Sequence, residues 1–235
     1  KVPTRLSPIK NDGAIRHYDG GNGLGQPAAF IAMTKTIEKA KQYGLGLSLI
    51  KNTNHIGLLA YYSLMAAREG MIGICACNGA ASIAPWGGAE AFFGTNPFSM
   101  AAPREKKEPV VLDMSTSLVA RGKIRRALKR GESIPLGWAL DKQGNPTTDP
   151  KAAMEGTLVP IGGPKGSGMA LFIDLICGML SGSKYGKELL SFHQVNGPTG
   201  VGVVTMAIDI SRFMPLHIFT SLAERHFTDL VESEM

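Results

Sequence analysis

A single lysine stands among glycines in "LVPIGGPKGSGMALFIDLICGML", Leu158 to Leu180. Gly166 and Gly168 let backbone come close to a ligand. The helix start offers unpaired N–H groups, and Lys165 adds a point charge. Such a loop suits an anion, either a phosphate or a carboxylate. The alternative is a tight helix entry with an exposed lysine. A second candidate is His55 in "NTNHIGLLAYY", between an apolar run and a helical one. A histidine there can move a proton near neutral pH, and Gly57 permits close backbone approach. It could equally cap its helix. "VLDMSTSLVARGK" sets Asp113, Ser115, Thr116 and Ser117 at a strand end. These groups either contact a ribose or phosphate, or one hydroxyl caps the next helix. Asn96 precedes Pro97 in "GTNPFSMAAP", which signals a turn. Asp174 lies in the apolar run after Lys165, where a lone carboxylate is costly, so it is paired or at an exposed end.

Several standard chemistries are not written here. No G-x-G-x-x-G follows a strand, since "GGNGLG" has the wrong spacing, and no P-loop leads to Lys165. There is no G-x-S-x-G elbow for a serine nucleophile. No Cys/His grouping has metal-ligand spacing, so no metal site is expected. His17, His193, His217 and His226 sit in unrelated contexts and read as surface or packing residues.

The elements that must position these groups follow from periodicity. "PAAFIAMTKTIEKAKQY" has helical spacing through Ile31, Thr34, Ile37, Ala40 and Lys41, and Gly44 stops it. "LGLSLIKN" is a buried strand, "LLAYYSLMAAREG" a helix and "MIGICACNG" a second buried strand. This βαβ-like order favours an α/β fold. Residues 79–104 read as loop. "PVVLDMSTS" is a strand, and a helix carries Arg121, Lys123, Arg125, Arg126, Lys129 and Arg130. "GWALDKQGNPTTDPKAAMEG" is a surface excursion, "GVGVVTMAIDISRF" a late strand, and the end of the chain a helix. Residues 1–27 read as a turn-rich connecting segment, 28–215 as the α/β core and 216–235 as a helical segment.

Composition narrows the class. With 44% hydrophobic and 19% charged residues the chain is a folded globular body, not a disordered tail. The net charge of +6 is modest, and the one basic cluster has no interleaved aromatics. It reads as a solvated helix face rather than a nucleic-acid surface. No apolar run is long enough to span a membrane. Three cysteines make no disulfide framework and fit reduced thiols in the cytoplasm. Cys75 and Cys77 alternate, so both point to one face of their strand.

Five stretches occur in order: "NTNHIGLLAYYSLMAAREGMIGI", "APWGGAEAFFGTNPFSMAAP", "VVLDMSTSLVARGKI", "GWALDKQGNPTTDPKAA" and "LVPIGGPKGSGMALFIDLICGMLSG". Together, from about Leu6 to about Pro215, they resemble the malate/L-lactate dehydrogenase family. The resemblance implies an α/β, non-Rossmann mixed-sheet fold and NAD or NADP as cofactor. It implies hydride exchange between a small 2-hydroxy acid and its 2-oxo acid, and a homodimer. By motif position His55, Ile56, Gly57, Leu58, Leu59, Gly94, Thr95, Asn96, Asp113, Met114, Ser115, Lys165 and Gly166 would line the cofactor. His55 and Lys165 are the candidate catalytic pair. The family's Ser-His-Gly and Pro-Gly-Glu motifs do not occur in this sequence. The expectation is therefore the central part of a longer protein, preceded by a helical region. The alternative is an inactive fragment or a nucleotide-binding body of the same fold without turnover.

Overall fold

A computed structural model describes residues 4–191 and 197–233. The strands are β1 (Ser7–Asp12), β2 (Ile15–Asp19), β3 (Leu45–Thr53), β4 (Met71–Cys77), β5 (Phe98–Ala102), β6 (Val110–Met114), β7 (Ala139–Leu140), β8 (Thr157–Leu158) and β9 (Val201–Asp209). The helices are α1 (Gly25–Tyr43), α2 (Ala60–Arg68), α3 (Arg121–Arg130), α4 (Pro150–Glu155), α5 (Pro164–Asp174) and α6 (Leu216–Glu232), with a π-helical segment, Leu175–Leu180, continuing α5. Seven strands form one sheet in the order β1-β2-β3-β9-β4-β5-β6. β2, β3, β4 and β6 are mutually parallel, while β1, β9 and β5 run the other way. The expected βαβ unit is β3-α2-β4, with β9 inserted between its two strands.

Period-two alternation divides the strands between two cores. Ile50, Cys75, Cys77, Val203 and Ala207 pack under α1 and α2. Leu49, Ala76 and Val204 face the other way, toward Cys177 of the π-helical segment. The helices approach the first face closely because small residues allow it: a Cβ on Gly46 would lie 2.0 Å from the Thr36 carbonyl oxygen. Buried hydroxyls are satisfied in the same places, Thr36 Oγ1 lying 2.7 Å from Ser48 Oγ and 2.8 Å from Thr205 Oγ1. A satellite core of Ile83, Phe93, Val119, Ile124, Ala127, Leu158 and Ala170 lies beside the β7–β8 ladder.

On the second face, the row Leu47–Met206–Ile74–Met100–Leu112 crosses five strands in register. Leu45, Ile208 and Ile72 begin the next row. At the β5–β6 edge this apolar surface is open, with Met100 44% and Leu112 47% exposed.

Three expectations are corrected. Residues 1–27 are not merely a connection, because β1 and β2 form a hairpin at the sheet edge. β1 escapes detection because every residue in it is exposed and charges stand where apolar residues would alternate, Lys10 and Asp12 pairing at 3.6 Å. The 79–104 stretch contains β5, a five-residue strand whose buried side is only Ser99 and Ala101 while the larger Met100 faces outward. The buried side of α1 runs through Ala28, Ala29, Ala32, Met33, Thr36, Ile37 and Ala40, which leaves Ile31 exposed. Small alanines allow the close helix–sheet approach that the larger Ile31 would prevent. The basic helix α3 behaves as expected, burying Ile124 and Ala127 and turning most of its charges outward. His17 Nε2 lies 2.8 Å from the Ser181 carbonyl oxygen, joining β2 to the end of the π-helical segment. His193 lies outside the described residues.

Candidate active site

The carboxyl ends of β2, β3, β4 and β6 share one edge of the sheet, together with the amino ends of β5 and β9. Ligand clefts in α/β sheets form at such edges. The chain leaves β3 through Asn54, whose Nδ2 donates to the carbonyls of Asn22 at 2.9 Å and Gly23 at 2.8 Å. The start of α1 is pressed on this turn, since a Cβ on Gly25 would lie 2.2 Å from the Asn54 carbonyl oxygen. Beyond that anchor His55 and Leu58 are exposed, while Ile56 and Leu59 are buried. Gly57 has φ +78°, the left-handed region that glycine adopts without strain.

Hydrogen bonds tie the four sequence-predicted stretches into one cluster. Asp113 Oδ2, at the end of β6, accepts the Ala60 N–H at 2.9 Å. It thus caps α2 from a distance and sets a carboxylate at the positive helix end. Next along the chain, the Thr116 N–H and hydroxyl both donate to the Thr95 carbonyl, at 2.9 and 3.0 Å. The Ile161 N–H donates to the Thr116 carbonyl at 2.8 Å, and the Gly166 N–H to the Ile161 carbonyl at 2.9 Å. Asn96 completes the frame: its Nδ2 donates to the Ala170 carbonyl at 2.8 Å and its Oδ1 accepts the Gly79 N–H at 3.1 Å. The 55–60, 94–96, 113–116 and 161–170 segments therefore meet.

Three local expectations change. The glycine turn spends most of its N–H groups on itself rather than on an anion. Those of Gly163, Lys165, Gly166 and Ser167 donate to the carbonyls of Pro160, Gly162, Ile161 and Gly163, and Pro164 has none. Gly162 and Gly163, at φ +58° and +60°, fold the turn back on itself. The charge that remains for an anion is on the side chain of Lys165, which is exposed and makes no ion pair among the described residues. Second, α2 begins at Ala60, with Leu59 at its cap position and Asp113 accepting its first N–H, so His55 is not the helix cap. Third, no hydroxyl of Ser115, Thr116 or Ser117 caps α3, whose cap position is Ala120. Ser115 Oγ instead lies 2.9 Å from Ser117 Oγ, and the Ser117 hydroxyl donates to the Val119 carbonyl at 2.9 Å.

Among the expected cofactor residues, His55, Gly57, Leu58, Thr95, Met114, Ser115 and Lys165 keep exposed or half-buried surface at this edge. Ile56, Leu59, Gly94, Asn96 and Gly166 are buried. Gly94 and Gly166 admit no side chain, because a Cβ would lie 2.2 Å from the Gly79 carbonyl oxygen and 2.1 Å from that of Ile161.

Asp174 is paired, as required: it is buried, with Oδ1 accepting from Asn78 Nδ2 at 3.0 Å and Oδ2 from the Gly186 N–H at 2.8 Å. Burial raises its pKa above the ordinary carboxylate value, and those two bonds pull it partly back. The Cys77 thiol is pushed up to about 12 by burial and then by the Asp113 carboxylate, so it stays protonated. Asn78 and Trp86 were not singled out from the sequence. Asn78 carried no signal beyond its place after β4. The signal at Trp86 was a tryptophan between Pro85 and Gly87 in an otherwise small-residue loop.

An open groove of about 870 Å³ lies at the opposite sheet edge, lined by Arg68, Arg104, Lys107, Leu216 and His217 among others. Its cations are already paired. Arg104 donates to Glu224 at 2.9 and 3.0 Å, Lys107 lies 3.4 Å from Glu224, and Arg68 lies 3.6 Å from Glu108. None of the candidate residues is in that groove.

The model of the malate/L-lactate dehydrogenase family matches residues 2–235. A malate dehydrogenase of Pyrococcus abyssi is 40% identical over 223 residues, covering 92% of this chain and 61% of that protein. A (2R)-3-sulfolactate dehydrogenase (NADP(+)) of Chromohalobacter salexigens is 40% identical over 202 residues, covering 86% and 61%. The solved sulfolactate dehydrogenase of Methanocaldococcus jannaschii superposes with a TM-score of 0.92 at 37% identity, covering 99% of this chain and 67% of that one. The chain spans about three fifths of the length of the curated relatives it matches.

Proposed function

The chain belongs to the malate/L-lactate dehydrogenase family, and from that premise we propose that the full-length protein is an NAD(P)-dependent oxidoreductase. It interconverts a small 2-hydroxy acid and its 2-oxo acid. The observation that carries this reading is the convergence of four hydrogen-bonded stretches on one sheet edge, with exposed His55 and the unpaired cation of Lys165 on it.

The donor set fits a dinucleotide. Lys165 offers a cation to a phosphate or carboxylate, Ser115 a hydroxyl to a ribose, and Gly57 a stretch where an added Cβ would meet only Gln26 Cγ, at 3.8 Å. When bound, the nicotinamide supplies the hydride acceptor or donor. Lys165 neutralises the substrate carboxylate or the oxygen that gains charge as hydride moves. His55 holds the proton that is given to or taken from that oxygen as hydride moves. Asp113, Asn96 and Gly166 act through the frame, keeping the loops in register.

NAD and NADP both remain compatible with this donor set. The open apolar row through Met100 and Leu112 supports a homodimer, since a face of that kind needs cover. The three unbridged, buried cysteines support a reducing compartment, the cytoplasm. A second reading, nucleotide binding without turnover, is favoured for the 235-residue chain on its own, because Ser-His-Gly and Pro-Gly-Glu do not occur in it.

The test is an absorbance assay of the full-length protein with NADH and NADPH against oxaloacetate, pyruvate and a sulfonated 2-oxo acid. Consumption of reduced cofactor with at least one acid is expected. Cofactor binding with no turnover would move the assignment to the second reading.

A further inference from the structure

Trp86 is a large apolar side chain left mostly in water, 61% exposed, in the loop that reaches α5. Exposing a tryptophan forgoes one of the largest burial gains available to a side chain. The exposure does not come from looseness. The Trp86 N–H donates to Ser167 Oγ at 3.2 Å, and the Gly88 N–H closes the turn on the Pro85 carbonyl at 2.8 Å. The base of the loop is pinned where the Ala84 N–H donates to the Leu158 carbonyl at 3.3 Å. The six-membered ring of the indole lies on Gly163, where an added Cβ would be 3.1 to 3.3 Å from three of its carbons. A side chain at 163 would displace the ring, and φ +60° disfavours one there in any case.

The ring is therefore held beside the cap of α5, two residues before Lys165. An exposed cation next to a fixed, exposed aromatic ring is the pair of contacts a nucleotide asks for, one for phosphate and one for a flat ring. Among the described residues no aromatic ring and no cation is stacked on the indole. From this we infer that Trp86 is the stacking platform for a flat heteroaromatic ring of the dinucleotide, adenine or nicotinamide. The inference rests on the dehydrogenase reading above and adds a residue to it.

The test is quenching of tryptophan emission in the full-length protein by the oxidised dinucleotide, which does not absorb that emission and so quenches by contact. Calorimetry runs in parallel to report binding itself. Wild type and W138F should be quenched, whereas W86F should lose that quenching. W86A should bind the dinucleotide roughly 5- to 150-fold more weakly, the value of one base–aromatic stack, and W86F should recover much of the affinity. Adenosine monophosphate and nicotinamide mononucleotide, titrated separately, identify the ring by which of them quenches. Equal affinities in wild type, W86F and W86A, with quenching unchanged in W86F, would overturn the inference and leave the dehydrogenase reading standing. No calorimetric binding of either cofactor to wild type would overturn both.

Discussion

Lys165 carries the charge of the site because its own turn consumes most of the backbone donors that a glycine-rich loop ordinarily offers. A cation with no partner carboxylate among the described residues, set at the meeting point of the four stretches, is poised for an external anion. Replacing it with methionine keeps the length and removes the charge. K165M should lower kcat in the full-length protein by roughly 10²- to 10³-fold, the scale seen when one electrostatic stabiliser is lost, and K165R should recover part of it. An unchanged kcat in K165M would remove Lys165 from the chemistry. Residue type and spacing made Lys165 and His55 legible in the sequence. The direction of the N–H groups was not, because it depends on positive φ at both Gly162 and Gly163. Two adjacent glycines permit that geometry without announcing it.

At the scale of elements, two buried asparagines and one buried aspartate lock α5 and its π-helical continuation to the sheet edge. Asn96 bridges the Gly79 N–H and the Ala170 carbonyl. N96A takes a partner from the buried Ala170 carbonyl and from the half-buried Gly79 N–H, so it should destabilise the fold by about 1 to 3 kcal/mol in denaturant unfolding. Asn78 bridges Asp174 Oδ1, the Lys184 carbonyl and the Gly202 N–H in the same manner. Asp174 gives this junction a pH dependence. Its folded pKa is raised above the ordinary value of 3.8, chiefly by burial. The folded state thus binds the proton more tightly than the unfolded chain, and the contribution of this group to stability falls as pH rises from 3.8 through the raised value. Unfolding free energies measured across that window should show wild type losing stability relative to D174N as pH rises. The opposite slope would mean that the two hydrogen bonds outweigh burial. Short apolar runs made β3, β4 and β9 legible, and a glycine stop ended α1 where expected. β1 and β5 were not, because β1 is an exposed edge strand and β5 buries its small residues, Ser99 and Ala101, while the larger Met100 faces outward.

At the scale of the whole molecule, the mixed sheet places four parallel strand ends on the candidate edge and leaves an apolar row open on one face. That row predicts self-association. Sedimentation of the full-length protein should show a dimer, and M100K with L112K should shift it toward monomer if this row forms the interface. A dimer unaffected by both lysines would locate the interface elsewhere. Cross-strand order is what the sequence withheld most: β9, late in the chain, inserts between β3 and β4, and no local pattern states that register. The central claim is that the dinucleotide lies on the edge where β3, β4 and β6 end. Amide hydrogen exchange of the full-length protein, with and without NADH or NADPH, tests it directly. The account predicts added protection in the 55–60, 94–96, 113–117 and 160–168 segments and none at the opposite groove around Arg68, Arg104 and Leu216. Bound cofactor that protects the groove and leaves those four segments unchanged would contradict it.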